Sequence, residues 1–508
     1  MVVQIYSSAL LGIKAQKVTI EVHCSLGVGY HLVGMADHAV RESTYRIAGA
    51  LQSVGHKIPG KKFIINMAPA DLRKSGAHYD LALAVGILLA SNQLTTSVDL
   101  NKCLLLGELA LDGTLRPLKG VLPIVLAAKE HGFSAIILPE ENAAEAAIVQ
   151  GVNIYGMHHL SQVMNFIQGN NTGSSEKITA QKDQCQQCRV VRPNNEYDFS
   201  MVRGQETVKR ALEIAACGGH NVLMLGPPGS GKTLLARCLP SILPPLSYPE
   251  ALQTTTIYSV MGQDLSHGLI YKRPFRSPHH SISDKALIGG GRYPMPGEIS
   301  MAHNGVLFLD ELPEFTRKTL EALRQPLEEG KVHLSRAQYS VTYPSAVMLV
   351  CSMNPSAEGS GDISANYLKK ISGPLLDRID LHVEVPAVSF EKLSETSPSE
   401  SSAKICQRVL ATRQRQMNRF KQQTFTCNAH MSGKEIEAYC TLKKPVLNLL
   451  EQAMSQLGLS ARAYHRIIKV ARTIADMDLS HEIKPEHMAE AVQYRVLDRQ
   501  LDKGIIRI

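Results

Sequence analysis

The chain has 508 residues and no tryptophan, and aromatic residues make up 5% of it; neither scarcity selects a function. It has no uninterrupted apolar run near the roughly 20 residues that cross a bilayer, so no membrane partner is expected. The opening Met1-Val2-Val3-Gln4-Ile5-Tyr6 lacks the basic segment and following apolar segment of a secretory signal. The 10 cysteines are scattered rather than gathered into a dense framework. They read as reduced thiols, and a cytoplasmic location is expected. No sign of charge dominates: 54 Lys and Arg against 46 Asp and Glu leave a net +8, which permits an acidic partner such as nucleic acid without demanding one. Hydrophobic content of 44% and charged content of 20% describe a soluble globular protein. The length is too great for a single core, and two to four domains are expected.

Against these absences stands one stretch, Asn221-Val222-Leu223-Met224-Leu225-Gly226-Pro227-Pro228-Gly229-Ser230-Gly231-Lys232-Thr233. It reads as a short buried strand, a glycine-rich loop and a helix starting at Lys232. The residues from Gly226 to Thr233 fit G-x-x-x-x-G-K-[ST], the phosphate-binding P-loop. Glycine spacing lets the backbone curl and turn its N–H groups inward as an anion nest, and the following helix adds its positive dipole end. Gly226, Pro227, Pro228, Gly229, Ser230 and Gly231 thus form the cradle. Lys232 would reach the β- and γ-phosphates of ATP, and the Thr233 hydroxyl would hold Mg²⁺.

A second apolar strand, Val306-Leu307-Phe308-Leu309, ends in Asp310-Glu311. Asp310 suits the Mg²⁺ shell, and Glu311 suits orienting and deprotonating the attacking water. A third strand, Val347 to Met353, ends at Asn354, placed to read the γ-phosphate. Gly373-Pro374-Leu375-Leu376-Asp377-Arg378-Ile379-Asp380 then sets Arg378 in an acidic turn. It can be salt-bridged to Asp377 or Asp380, or be offered to a neighbouring subunit to stabilise charge on the transferring phosphoryl group. Beyond a Ser/Glu/Pro-rich stretch, Ser389 to Ser402, the chain reads as helical. Arg462 is a candidate lid arginine near the start of one helix, with Arg466 one turn on as its substitute. The run Arg413 to Arg419 reads as a solvated helix face.

Asp310 lies 78 residues after Lys232, so something is inserted between the two strands. The basic, proline-punctuated Tyr271 to Ser281 reads as an ordered loop, and Gly289-Gly290-Gly291-Arg292 as a flexible hinge or tip. Gly330 to Thr342 alternates like a hairpin with Arg336 near its turn. Arg273, Arg276, His279, Lys331 and Arg336 suit contacts to the phosphates of single-stranded or branched DNA, or packing between subunits and exposure to water.

Residues 1–168 form a separate α/β segment. Strands are expected over Lys17–His23, Lys62–Met67 and Ala135–Pro139, helices over Arg41–Val54, Asp80–Leu89 and Ile124–Glu130, and a hairpin from Cys103 through Asp112-Gly113. Residues 169–198 read as a polar linker. Within it Cys185 and Cys188 have zinc-knuckle spacing with no second pair following, so the pair reads as incidental rather than a metal site.

Gly107 to Leu118 and Ala135 to Asn142 resemble the proteolytic domain of the Lon family, whose chemistry needs a Ser–Lys dyad. Here His78 stands at the nucleophile's position and Leu122 at the lysine's, so peptidase activity is not expected. Ser75 with Lys74 or Lys119 is the displaced alternative. Gly204 to Leu212 resembles the adenine-side segment of AAA+ ATPases. The order of P-loop, Asp-Glu strand, Asn strand, Leu-Leu-Asp-Arg turn and Ser-x-Arg helix resembles the magnesium-chelatase-like branch of that class. With the Lon-like front, the whole length is similar to the ComM (YifB-type) family. The resemblance implies an α/β fold: a Lon-protease-like domain at 1–168, an AAA+ core at 199–390 and a helical lid at 391–508. It also implies a homo-hexameric ring with ATP and Mg²⁺ between subunits, driving helicase-type branch migration during natural transformation. Asn354 would be the sensor, Arg378 would act in trans and Arg462 would sense nucleotide in cis. The rival readings are a chelatase-type or protein-remodelling motor without a DNA substrate, a Lon-like protease, and a non-enzymatic nucleotide-binding scaffold.

Overall fold

A computed structural model of the chain describes residues 2–170, 177–178, 196–291, 293–336, 339–354, 371, 373–388, 399–423, 425–458 and 461–495. The chain divides into two compact units, Met1–Arg189 with Ala251–Ile270, and Val190–Glu250 with Tyr271–Ile508. Part of the insertion therefore belongs with the front unit, which sequence pattern does not reveal.

The front unit is built on an eight-stranded mixed sheet. Val2–Leu11 and Lys14–Ser25 form its central antiparallel pair. Lys62–Ala68 and Gly29–Val33 extend it on one side. Cys103–Leu105, Ala135–Pro139 and Asn153–Met157 extend it on the other, all parallel to Val2–Leu11. The helix Asp80–Ala90 is buried along its whole length, which explains a composition apolar on every face. It lies so close to the sheet that a Cβ on Gly86 would come within 2.7 Å of the Val22 side chain. The expected Cys103 hairpin resolves differently. Cys103–Leu105 joins the main sheet, and the hairpin is the shorter pairing of Glu108–Leu109 with Leu115–Arg116. Ala251–Ile270 is held here by Ser259, whose hydroxyl donates to buried Glu145 at 2.5 Å and whose carbonyl accepts from Gly120 N at 3.0 Å.

The second unit carries a five-stranded, all-parallel sheet. Its order is Phe275–Arg276, Val306–Leu309, Met348–Met353, Val222–Leu225 and Leu381–Glu384. Strands buried on both faces read as continuous apolar runs, as the inner strands Val222–Leu225 and Val306–Leu309 do. The expected helical C-terminal region is the helices Ser402–Arg419, Gly433–Tyr439, Lys444–Leu457, Ala461–Met477 and Pro485–Gln493. Val409, Ile467 and Ile474 pack in one hydrophobic cluster with Val222 and Phe308, so lid and sheet share a core. Gly289–Gly290 pairs with Met295–Pro296, which sets Gly291 at the tip between two short strands, and a Cβ on Gly289 (φ 115°) would come within 2.6 Å of the Met295 carbonyl. One local reading is corrected: Arg413 and Arg419 are not a solvated face. Arg413 donates to the Ala216 carbonyl at 2.9 Å, and Arg419 pairs with buried Asp476.

Candidate active site

Because all five strands run parallel, their carboxyl ends share one edge, where open α/β sheets bind ligands. Register decides what meets there. Leu225 opposes Met353 and Leu309 opposes Cys351, which sets Gly226 beside Asn354 and Asp310 beside Ser352. The sheet thus gathers the P-loop, the acidic pair and the Asn354 position along one edge, although they are scattered over more than 120 residues of sequence.

The loop glycines act in two ways. Gly229 and Gly231 have φ of 78° and 89°, the left-handed region that side chains resist. Gly226 instead lacks room, since a Cβ there would meet the Val385 carbonyl oxygen at 2.1 Å. Lys232 opens its helix, and its ammonium donates to the Gly226 and Pro227 carbonyls at 2.8 Å each. Burial lowers its pKa, with Asp310 and Glu311 pulling it back up. A buried ammonium held by weak neutral acceptors is poised for an anion.

Thr233 Oγ1 donates to Asp310 Oδ2 at 3.0 Å. Ser352 donates to the other Asp310 oxygen, and its Oγ also accepts from Glu311 N at 3.1 Å. Sequence reading missed Ser352; its signal was its place two residues before Asn354 on the sensor strand. Glu311 has φ 52°, a strained conformation that turns its side chain away from the path of its strand. Its carboxylate lies 3.7 Å from His280 Nδ1. A hydroxyl beside a carboxylate at the mouth of an anion cradle is the donor set Mg²⁺ takes, one or two oxygens from the protein with phosphates completing the shell, so Thr233 and Asp310 fit that ion.

Arg378 follows the short helix Gly373–Leu376. Its guanidinium donates to the Pro374 carbonyl at 2.7 Å and pairs with Glu328, not with either flanking acid. Those acids are taken by the lid. Asp377 pairs with Arg462 at 3.1 Å, and buried Asp380 pairs with Arg466. Arg462 is largely exposed and Arg466 is not, so Arg462 is the freer of the two lid arginines.

The basic loop residues divide. Arg273 is half-buried against Glu250 and donates to the Pro244 and Asn304 carbonyls at 2.6 Å each. It therefore props the insertion and is withdrawn from the phosphate-contact set. Arg276 forms a two-pronged pair with Glu298 at 2.6 and 2.7 Å, so it would have to leave that acid to meet a phosphate. His279, Lys331 and Arg336 are exposed, the last two on the hairpin Lys331–Arg336 with Tyr339–Pro344. In the front unit, His78 is half-buried and its Nε2–H donates to the Ser8 carbonyl at 2.8 Å. Lys74 is buried on the Pro69 carbonyl, and Leu122 lies in the core. Cys185 and Cys188 lie outside the described residues; among those described, no cluster of three or more His, Cys, Asp or Glu could hold a metal, and no helix is long and apolar enough to cross a membrane.

The fold and the edge it forms are those of the magnesium-chelatase-like AAA+ class. Three family descriptions match in series: "Subunit ChlI of Mg-chelatase" over residues 20–142, "Magnesium chelatase, subunit ChlI" over 198–393, and "Magnesium chelatase, subunit ChlI C-terminal" over 399–495. Full-length relatives narrow this further. The chain is 45% identical to "Uncharacterized protein YifB" of Salmonella typhimurium over 98% of its own length and 97% of that protein's. It is 44% identical to "Competence protein ComM" of Haemophilus influenzae, covering 98% of each. Similarity to the "Magnesium-chelatase 67 kDa subunit" of Heliobacterium mobile is 28% and spans 37% of this chain and 31% of that one. The chain belongs to the YifB/ComM family of magnesium-chelatase-like proteins.

Proposed function

We propose that the protein is a Mg²⁺-dependent ATPase that works as a cytoplasmic homo-hexameric ring motor on DNA, migrating branched intermediates so that incoming strands are integrated during transformation. The observation that carries the ATPase is the shared sheet edge. Lys232 and the Gly226–Gly231 loop bind and orient the phosphates, Thr233 and Asp310 hold the ion, and Glu311 takes the proton of the attacking water. Bound Mg²⁺ would neutralise charge on the β- and γ-oxygens. Asn354 orients the water or the γ-phosphate. Arg378 leaves Glu328 and serves the neighbouring subunit's site, and Arg462 closes over nucleotide in its own.

DNA as the substrate is supported by the exposed Lys331, His333 and Arg336 on one hairpin strand, carried between the acidic-pair strand and the sensor strand. A projection so placed moves with the catalytic edge and suits gripping backbone phosphates without reading bases. The competence name of the Haemophilus relative agrees with that substrate. The alternative is a chelatase-type or protein-remodelling motor without DNA, favoured by the family descriptions matched along the chain. ATP hydrolysis measured with and without single-stranded and branched DNA across a salt series separates the two. Stimulation that fades as salt rises supports the DNA motor; hydrolysis indifferent to every DNA supports the alternative.

A further inference from the structure

The turn that carries Arg378 is fastened to two other parts of its own subunit. Asn221, the residue before the P-loop strand, uses every polar group it has. Its Nδ2 donates to the Arg378 carbonyl at 2.9 Å, and its Oδ1 accepts from Leu349 N, on the sensor strand, at 2.8 Å. Its own carbonyl accepts from Asp380 N and Leu381 N at 3.1 Å each, and its N–H donates to Asp380 Oδ2 at 3.3 Å.

Asp380 is buried, and its carboxylate joins three elements. One oxygen takes Asn221 N and His220 Nδ1, the latter at 3.2 Å; the other pairs with Arg466. His220 in turn meets Thr473 Oγ1 at 2.8 Å. Arg462, Arg466 and Thr473 lie on the single helix Ala461–Met477 at spacings that place them on one face. That face therefore holds Asp377 and Asp380, the two acids flanking Arg378. Burial alone would raise the Asp380 pKa. Arg466 and His220 overcome it and hold the group well below the usual carboxylate range, so the hub stays ionised.

We propose that Asn221 and Asp380 are positioning residues for Arg378: they bolt the arginine's turn to the P-loop strand and, through Arg466, to the lid helix, so that lid movement over one subunit's nucleotide re-aims the arginine offered to the next. The inference rests on the trans role of Arg378 proposed above. The partners of both residues are protein groups of the arginine's turn, the P-loop strand, the sensor strand and the lid helix, and the sequence motif that brings Arg378 to notice says nothing of Asn221, which is 157 positions away.

The trans geometry makes the test specific. Asp380→Asn keeps the shape of the hub and removes its charge. Asn221→Ala removes no charge and frees the Arg378 carbonyl, so it serves where Asp380→Asn folds poorly. Both should bind an ATP analogue near the parental affinity while kcat falls about 100-fold, the scale of a small misplacement of a reacting group. Each is then mixed with Glu311→Gln subunits, which have a crippled site of their own and an intact arginine turn. Hydrolysis should return in the mixture, at sites of the positioning variant served by the arginine of a Glu311→Gln neighbour. Arg378→Ala mixed with Glu311→Gln is the reference. Recovery by Arg378→Ala without recovery by Asp380→Asn or Asn221→Ala overturns the positioning role. Failure of Arg378→Ala to recover overturns the trans reading and this inference with it. DNA is absent throughout, so neither result depends on the cargo.

Discussion

The Thr233 hydroxyl and the Asp310 carboxylate are hydrogen-bonded across 3.0 Å, although 77 residues separate them. Ser352 makes that meeting possible. Its hydroxyl serves the second Asp310 oxygen and accepts from Glu311 N at 3.1 Å, so one side chain orients both acids. Ser352→Ala should lower kcat about 10-fold, the scale of one lost hydrogen bond to a charged group, with ATP binding little changed. Steady-state kinetics check this; an unchanged kcat would show that the strand alone aims the acids.

Glu311→Gln should trap bound ATP and cut kcat by about 10²–10⁴, the usual contribution of a general base. Single-turnover hydrolysis with a binding assay alongside separates the two effects. Turnover at the parental rate would remove Glu311 from its role.

Arg378 is paired with Glu328, an acid exposed on its far side, so the arginine must leave this partner to act on a neighbour. Arg378→Ala should bind ATP and lose about 10³–10⁵ in kcat, as loss of an arginine finger does. Glu328→Gln should leave kcat equal to or above the parent's, because it weakens only the resting contact. Loss of activity in Glu328→Gln comparable to that of Arg378→Ala would mean that the pair itself is the working state.

The local signals read well, and the distant ones did not. Gly226–Thr233, the Asp310–Glu311 strand end and the helices from Ser402 to Gln493 are each written in consecutive residues, because strand burial, loop glycine and helical period are local constraints. Partners are set by the fold. Nothing near Arg273 announces that Glu250 and the Pro244 and Asn304 carbonyls will enclose it, so its basic neighbourhood pointed to phosphate. Arg378 stands between Asp377 and Asp380 in the sequence, and the fold gives those acids to Arg462 and Arg466 on a helix more than 80 residues later. A run of arginines looked solvated because charge has no period that distinguishes a paired face from a wet one, and Arg413 and Arg419 turned inward.

That division gives a test of the DNA reading. If the hairpin grips phosphates, Lys331→Ala with Arg336→Ala should weaken binding to single strands and shorten the slope of log K against log salt by about 1.4, at roughly 0.7 per lost contact. Arg273→Ala should act differently. It leaves Glu250 and the Pro244 and Asn304 carbonyls without their half-buried partner, and should lower the melting temperature while leaving the salt slope of the remaining folded protein unchanged. Filter binding and thermal melting report the two quantities. An unchanged salt slope in the hairpin variant would remove Lys331 and Arg336 from the DNA surface.

His78 stands where a Lon-type nucleophile would, and from a half-buried position it makes an acid-sensitive contact to buried Ser8. Burial lowers its pKa to about 4, against a weaker upward pull from the Ser8 carbonyl. A neutral ring donates Nε2–H to that carbonyl without stranding a charge. The sign follows from proton counts. Between about pH 6.5 and 4 the unfolded chain binds a proton at this position and the folded chain does not, so stability falls as pH falls. The slope approaches about 1.4 kcal/mol per pH unit once the unfolded imidazole is mostly protonated, or roughly 1.6 kcal/mol between pH 6.5 and 5. His303 in the second unit, also lowered to about 4 by burial, adds a slope of the same sign. His78→Gln keeps an N–H donor for Ser8 and does not titrate. Its melting temperature should start below the parent's at pH 7 and fall less by pH 5. Parallel curves for the two proteins would place the acid sensitivity elsewhere in the molecule.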